Sequence, residues 1–119
     1  MKIQQKIGSK GEDLAVAHLE KERFKIIERN FRGQRGEIDI IAKKGKTLYF
    51  LEVKARGSGS IIDPLEAVTP AKQQSIRRTA EYYLLKHPKM EKMPCSFGVI
   101  GVDYSSEPPR IECLLDAFV

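Results

Sequence analysis

The strongest hydropathy pattern in this chain lies in residues 36–54, where apolar and polar positions alternate with the period of β-structure. Ile38, Ile40, Ala42, Tyr49, Leu51 and Val53 fall on one face, and Ile41, Leu48 and Phe50 on the other, so both faces require burial near the middle. A tight turn at Lys44-Gly45 is expected between the two strands, because glycine supplies the positive φ of a two-residue hairpin loop. At the open end the second face changes character and carries Glu37, Asp39, Glu52 and Lys54. A register shift of two residues leaves Asp39 and Glu52 pointing the same way. A shift of one would bury the charges and expose the isoleucines.

The flanking segments have their own signals. Ser9 followed by Glu12 fits a capping box at the start of a helix that runs to about Arg23 through Leu14, Ala15, Val16, Ala17 and Leu19. Residues 24–31, with β-branched and aromatic weight, predict a first strand leading into the hairpin. After Lys54, residues 55–60 (Ala-Arg-Gly-Ser-Gly-Ser) read as a flexible connection. Thr69 and Pro70 then supply an N-cap and a first-turn proline for a second helix through Leu85, ending before Pro88. Its apolar stripe is Ile76, Ala80, Tyr83 and Leu84, and Tyr82 and Tyr83 are read as packing residues. Residues 96–104 predict a strand buried on both faces, and residues 110–115 an edge strand. The order helix, three strands, helix, two strands predicts an α/β domain with a mixed sheet of about five strands flanked by helices.

Length and composition narrow the setting. The 119 residues suit one domain, 1–119, with 41% hydrophobic and 31% charged residues. Lys and Arg number 21 against 16 Asp and Glu, and the net charge of +5 suits a polyanionic partner without identifying one. No stretch has the roughly 20 apolar residues of a membrane span. Residues 1–6 open no hydrophobic signal region, so a cytoplasmic protein is expected. Cys95 and Cys113 have neither CxxC spacing nor histidine partners, which argues against zinc and a disulfide framework. Cys113 alternates with Ile111 and Leu115 and is expected in the core, and His18 has no ligand spacing.

The acidic end of the hairpin is the candidate chemistry. It reads either as a cross-strand salt-bridge set on a solvated patch or as a cation site. Three carboxylates and one lysine do not balance, so beside apolar surface one acid must hold a proton or a hard divalent cation must sit among them. The basic loop Arg32-Gly33-Gln34-Arg35-Gly36 feeds into that end, and is either a solvated turn or a set of phosphate contacts. Lys72 falls in the first turn of the second helix, where the macrodipole disfavours a cation. A bound phosphate would reverse that sign, with Gln73 orienting a water or a phosphate oxygen, whereas a lysine extended into solvent is the plain alternative. Arg77 and Arg78 extend a basic side. No HExxH, P-loop or serine or cysteine nucleophile with a histidine is present.

Several blocks together carry a family resemblance: residues 8–15 (GSKGEDLA), 29–32 (RNFR), 36–41 (GEIDII), 50–56 (FLEVKAR), 67–72 (AVTPAK) and the closing Ala117-Phe118. They resemble the YraN family of small bacterial proteins, which is similar to the PD-(D/E)xK, restriction-endonuclease-like superfamily and close in layout to archaeal Holliday-junction resolvases. The resemblance implies a restriction-endonuclease-like fold and a nuclease that hydrolyses phosphodiester bonds with Mg²⁺ or Mn²⁺. It implies Asp39 and Glu52 as metal-binding acids, Lys54 as the lysine of the E-x-K element, and Glu12 as the extra helical glutamate of resolvase-like members. Glu37 would complete the shell. Arg32, Arg35, Arg56, Lys72 and Gln73 are the expected nucleic-acid contacts, with DNA, branched or junction DNA included, as the partner and a homodimer as the working form. One departure stands out: the family commonly has Arg-Phe-Asp-Val where this chain has Ser96-Phe97-Gly98-Val99. That change keeps open a domain that binds nucleic acid or another partner without turnover. A metal-stabilised structural protein is the third alternative.

Overall fold

The computed structural model describes the backbone of residues 2–56 and 68–118 and the side chains of residues 10–55 and 68–118. Helix α1 (Lys2–Lys21) precedes three strands, β1 (Lys25–Arg32), β2 (Glu37–Lys44) and β3 (Thr47–Arg56). Helix α2 (Pro70–Lys86), a short 3-10 turn at Pro88–Met90, and strands β4 (Cys95–Asp103) and β5 (Arg110–Phe118) complete the chain. The strands form one sheet in the order β1-β2-β3-β4-β5. All neighbours are antiparallel except β3 and β4, which run parallel because the connection through α2 carries the chain back across the sheet. This is the mixed α/β layout that the element order predicts.

The helices cover opposite faces of the sheet. Ala15 and Leu19 of α1 pack with Ile40, Ala42, Leu51, Ile100 and Val102. On the other face Ile76, Ala80 and Tyr83 of α2 pack with Ile41, Leu48, Phe50 and Val99. The Tyr83 ring is fully buried, edge-on to Phe31 at 5.0 Å and stacked on His87 at 4.0 Å. Central strands with both faces covered explain why β4 reads as a nearly continuous apolar run and why both faces of β2 and β3 are apolar near the middle. Thr69 caps α2 as expected, its hydroxyl accepting the Lys72 N–H at 3.2 Å.

Four local expectations are corrected. α1 begins at Lys2, so Ser9 lies inside the helix and the Ser9–Glu12 capping box does not form. The helix instead shows a clear stop: Arg23 is left-handed (φ 71°), with Phe24 N–H donating to Leu19 O and Arg23 N–H to Glu20 O, as in a Schellman motif. The hairpin loop is Gly45-Lys46, because Lys44 pairs with Thr47, and Gly45 takes φ 61°. That is a two-residue register shift, which preserves the relation of Asp39 to Glu52. Ile38 packs beneath α2 with Phe31, not with Ile40. Alternation breaks on the neighbouring strand too, where Asn30 adopts φ 53°. Cys113 is exposed, since β5 is an edge strand with one neighbour. The glycine-serine run at residues 57–60 lies outside the described residues.

Gly98 is buried at the irregular register between β4 and β5. A Cβ there would stand 2.8 Å from Leu51 Cδ2 and 2.9 Å from the Leu114 carbonyl oxygen. Gly98→Ala is expected to destabilise the fold by about 1–3 kcal/mol, the usual cost of overpacking a filled core. Urea unfolding measures it, and an unchanged midpoint would show that β5 yields freely.

Candidate metal centre

The ladder between β2 and β3 ends at Ile40 and Leu51, and beyond that pair the strands part. Asp39 fills the gap. Its Oδ2 accepts the Val53 N–H at 2.8 Å, replacing a main-chain carbonyl in the ladder. Glu52, opposite, is 4% exposed, buried against the centre of the sheet. Two ammonium groups reach its Oε2, Lys54 Nζ at 3.7 Å and Lys72 Nζ at 3.4 Å. A buried carboxylate requires such partners, because its desolvation is otherwise too costly.

The electrostatics of the pair are unequal. Burial pushes the Asp39 carboxyl up to about 8, the Glu52 charge and a hydrogen bond with Glu52 push the same way, and the Val53 N–H opposes them. Glu12 adds a smaller upward push from α1. At neutral pH the two carboxyls therefore share a proton, the expected outcome when like charges are held together away from water.

Glu12 occupies the other side of the opening. It accepts a hydrogen bond from Asn30 Nδ2 at 3.1 Å and lies 3.6 Å from Arg29 Nη2, which also pairs with Asp13 at 2.7 Å. Burial raises the Glu12 pKa, the Asn30 and Arg29 contacts oppose that rise, and the Glu37 charge adds to it. Asn30 makes this possible through its left-handed backbone, a conformation asparagine tolerates better than most residues, which lets neighbouring Arg29 and Asn30 both reach α1. The sequence reading missed both residues as members of the site. An asparagine within a strand of β-forming residues was the available signal.

The structure thus brings together Asp39, Glu52, Lys54 and Lys72, with Glu12 within electrostatic reach. Glu37 stands farther out, paired across β1 and β2 with Arg32 Nε at 3.7 Å. Gln73 donates from its side chain to the Val68 carbonyl at 3.0 Å and so braces the start of α2. Arg35 lies on the α2 side of the loop, against Ser75 and Arg78. Arg56 ends β3, and its side chain lies outside the described residues.

Among the described residues no three His, Cys, Asp or Glu side chains form a closed ligand group. The donor set instead suits a hard cation that keeps much of its water shell and takes only one or two protein carboxylates. Burial first, and then the neighbouring Glu52 charge, push the Asp39 carboxyl above the ordinary carboxylate range, and a cation beside the pair would oppose both. The Asp39 and Glu52 carboxyls, held together where β2 and β3 part, are of the type that fits that role.

A five-stranded mixed sheet between two helices, with an acidic pair and a lysine where two central strands part, defines a domain of restriction-endonuclease-like layout. The family model described as "Uncharacterised protein family UPF0102" matches residues 11–102. The chain is 47% identical over 112 residues to a UPF0102 protein of Geobacter metallireducens, covering 94% of this chain and 91% of that one. It is 43% identical over 119 residues to a UPF0102 protein of Clostridium perfringens (98% and 97% covered) and 39% identical over 100 residues to one of Coxiella burnetii (84% and 83% covered). The chain belongs to the UPF0102 family, the YraN family that its sequence blocks resemble. Among the described residues no helix is long and apolar enough to cross a membrane.

Proposed function

We propose that this protein is a metal-dependent nuclease that hydrolyses phosphodiester bonds of nucleic acid, with branched DNA as the first substrate class to test. The observation that carries this reading is the buried Asp39–Glu52 pair, two carboxyls held against each other away from water with Lys54 and Lys72 at Glu52. Mg²⁺ or Mn²⁺, held by Asp39, Glu52 and the Val53 carbonyl, would supply an acidified water and offset charge on the attacked phosphate.

The chain's own groups do the rest. Asp39 would lose the proton it shares with Glu52 if a cation were bound there, and the Val53 N–H keeps its carboxylate aimed. Lys54 brings an ammonium to the same opening, where it orients the attacking water and stabilises charge developing on the phosphate oxygens. Lys72 pairs with Glu52 in the free protein and, from the first turn of α2, would offer its ammonium to a second phosphate oxygen. Glu12, braced by Arg29 and Asn30, keeps the far side of the opening acidic.

The test is cleavage of labelled branched, flapped, single-stranded and duplex substrates by the wild-type protein with Mg²⁺ or Mn²⁺. Chelator-sensitive cleavage of at least one substrate is expected. The competing reading is a domain that binds nucleic acid without cutting it. Gly98 favours that reading, because the close approach of Leu51 and Leu114 leaves no room for the aspartate common in the family. Metal-independent, salt-sensitive binding without cleavage of any substrate would establish it.

A further inference from the structure

A second hollow, separate from the acidic pair, lies between the β1–β2 connection and α2. Its volume is about 350 Å³, and Gln34 and Arg35 of the connection face Gln74, Ser75, Arg78 and Tyr82 of α2 across it. Gln74, Ser75 and Tyr82 each lie three or four positions from Arg78, so the four form one stripe along α2.

The hollow is held by the way the connection sits on the helix. Gly33 N–H donates to the Gly36 carbonyl at 2.8 Å, closing the loop so that Gln34 and Arg35 stand at its tip. A Cβ on Gly33 would press on Thr79 Cγ2 at 3.3 Å, and one on Gly36 would overlap the Ser75 hydroxyl. The Thr79 hydroxyl donates to the Ser75 carbonyl at 2.8 Å, which keeps it out of the hollow's chemistry. Two glycines in five residues thus serve close approach, and the wall of the hollow is formed before any ligand arrives.

Charge and chemistry select the occupant. Arg29, Arg32 and Arg110 are each in ion pairs, whereas Arg35 and Arg78 have none among the described residues. Among the described residues no carboxylate lines the hollow. Two uncompensated guanidinium groups call for an anion, and their planar forks match phosphate oxygens. The amides of Gln34 and Gln74 each offer a donor and an acceptor, as the edge of a nucleobase requires. The Tyr82 ring supplies an aromatic wall for a base. A volume near the lower limit of small-ligand sites admits a single nucleotide and excludes a duplex.

We infer that this hollow is a subsite for one unpaired nucleotide of a nucleic-acid strand, with Arg35 and Arg78 on the phosphate and Gln34, Gln74 and Tyr82 around the base. The inference rests on the reading of this protein as one that acts on nucleic acid, and it adds a preference for substrates with an unpaired nucleotide near the cut. Lys72, which reaches Glu52, and Arg78 are about 9 Å apart along the α2 axis. A strand at duplex spacing covers that in roughly three nucleotides.

The test is NMR titration of the metal-free full chain with a short single-stranded deoxyoligonucleotide, and separately with inorganic phosphate, in the wild type and in an Arg35→Ala/Arg78→Ala variant. Both residues are exposed, so the variant should fold as the wild type does. Saturable shifts at the Gln34 and Gln74 side-chain amides and the Tyr82 ring are expected with the oligonucleotide, weakened about tenfold or more in the variant. Equal shifts in the variant, no shifts, or shifts that phosphate alone reproduces at the Tyr82 ring would overturn the subsite. Cleavage separates the two claims. Wild-type shifts without any metal-dependent cleavage would sink the nuclease reading and leave the subsite standing, and cleavage without the shifts would do the reverse.

Discussion

Asp39→Asn and Glu52→Gln are each expected to lower Mg²⁺-dependent cleavage about 100-fold or more, the scale of removing one preorganised polar group from an active site. Both substitutions preserve shape, so the loss should come from chemistry. An asparagine at position 39 retains an oxygen to accept the Val53 N–H, now 2.8 Å from Asp39 Oδ2, and the parting of β2 and β3 stays bridged. A glutamine at position 52 removes the anion that Lys54 and Lys72 share, so these two ammonium groups should turn toward water. Circular dichroism and a cooperative thermal transition check that each variant is folded. Wild-type cleavage rates in both variants would remove the acidic pair from the mechanism.

Stability should fall as pH rises from about 4 to 8 in metal-free buffer. The Asp39 carboxyl is raised to about 8 in the folded chain from an ordinary value of 3.8. Within that window the folded protein keeps a proton that the unfolded chain has released, so each step up in pH favours unfolding. At about 1.4 kcal/mol for each pKa unit, the effect is on the order of several kcal/mol. Glu12, raised by burial, adds in the same direction. Asp103 is lowered by its hydrogen bonds to Ser105, so its contribution is lost only in more acidic solution, outside the window. Urea unfolding at pH 5 and pH 8 with a chelator present measures the difference, and Asp39→Asn should remove most of it. Equal wild-type stability at the two values would show that Asp39 is not buried against a charged Glu52.

The central architecture was legible because alternation and capping are local signals. The paired strands around Asp39 and Glu52, the Thr69–Pro70 start of α2 and the apolar β4 all follow from spacing and residue type, and all form. The grouping of the two acids survived a misplaced turn, since moving the loop from Lys44-Gly45 to Gly45-Lys46 shifts the pairing by two residues. What escaped the sequence depends on contacts between distant segments. Spacing alone made Glu12 a capping residue, because Ser9 stands three positions before it, and only the family resemblance put it at the acidic site. Its actual partners, Arg29 and Asn30, come from β1 through a left-handed asparagine. Lys72 read either as a phosphate contact at a helix end or as a lysine extended into solvent, and only the packing of α2 over the sheet brings its ammonium to Glu52. The hollow beside Arg35 was equally hidden, because residues 34–35 and 74–82 meet only in three dimensions.

The most direct test of the account is calorimetric titration of the metal-free wild type and of Asp39→Asn with Mn²⁺ and Mg²⁺ near pH 7, in buffers of different ionisation heat. The wild type should bind saturably and release a proton, because the cation displaces the one that Asp39 and Glu52 share. Asp39→Asn should bind far more weakly and release none. A wild type that binds neither ion would contradict the account and leave Asp39 and Glu52 as a buried acid pair held by Lys54 and Lys72.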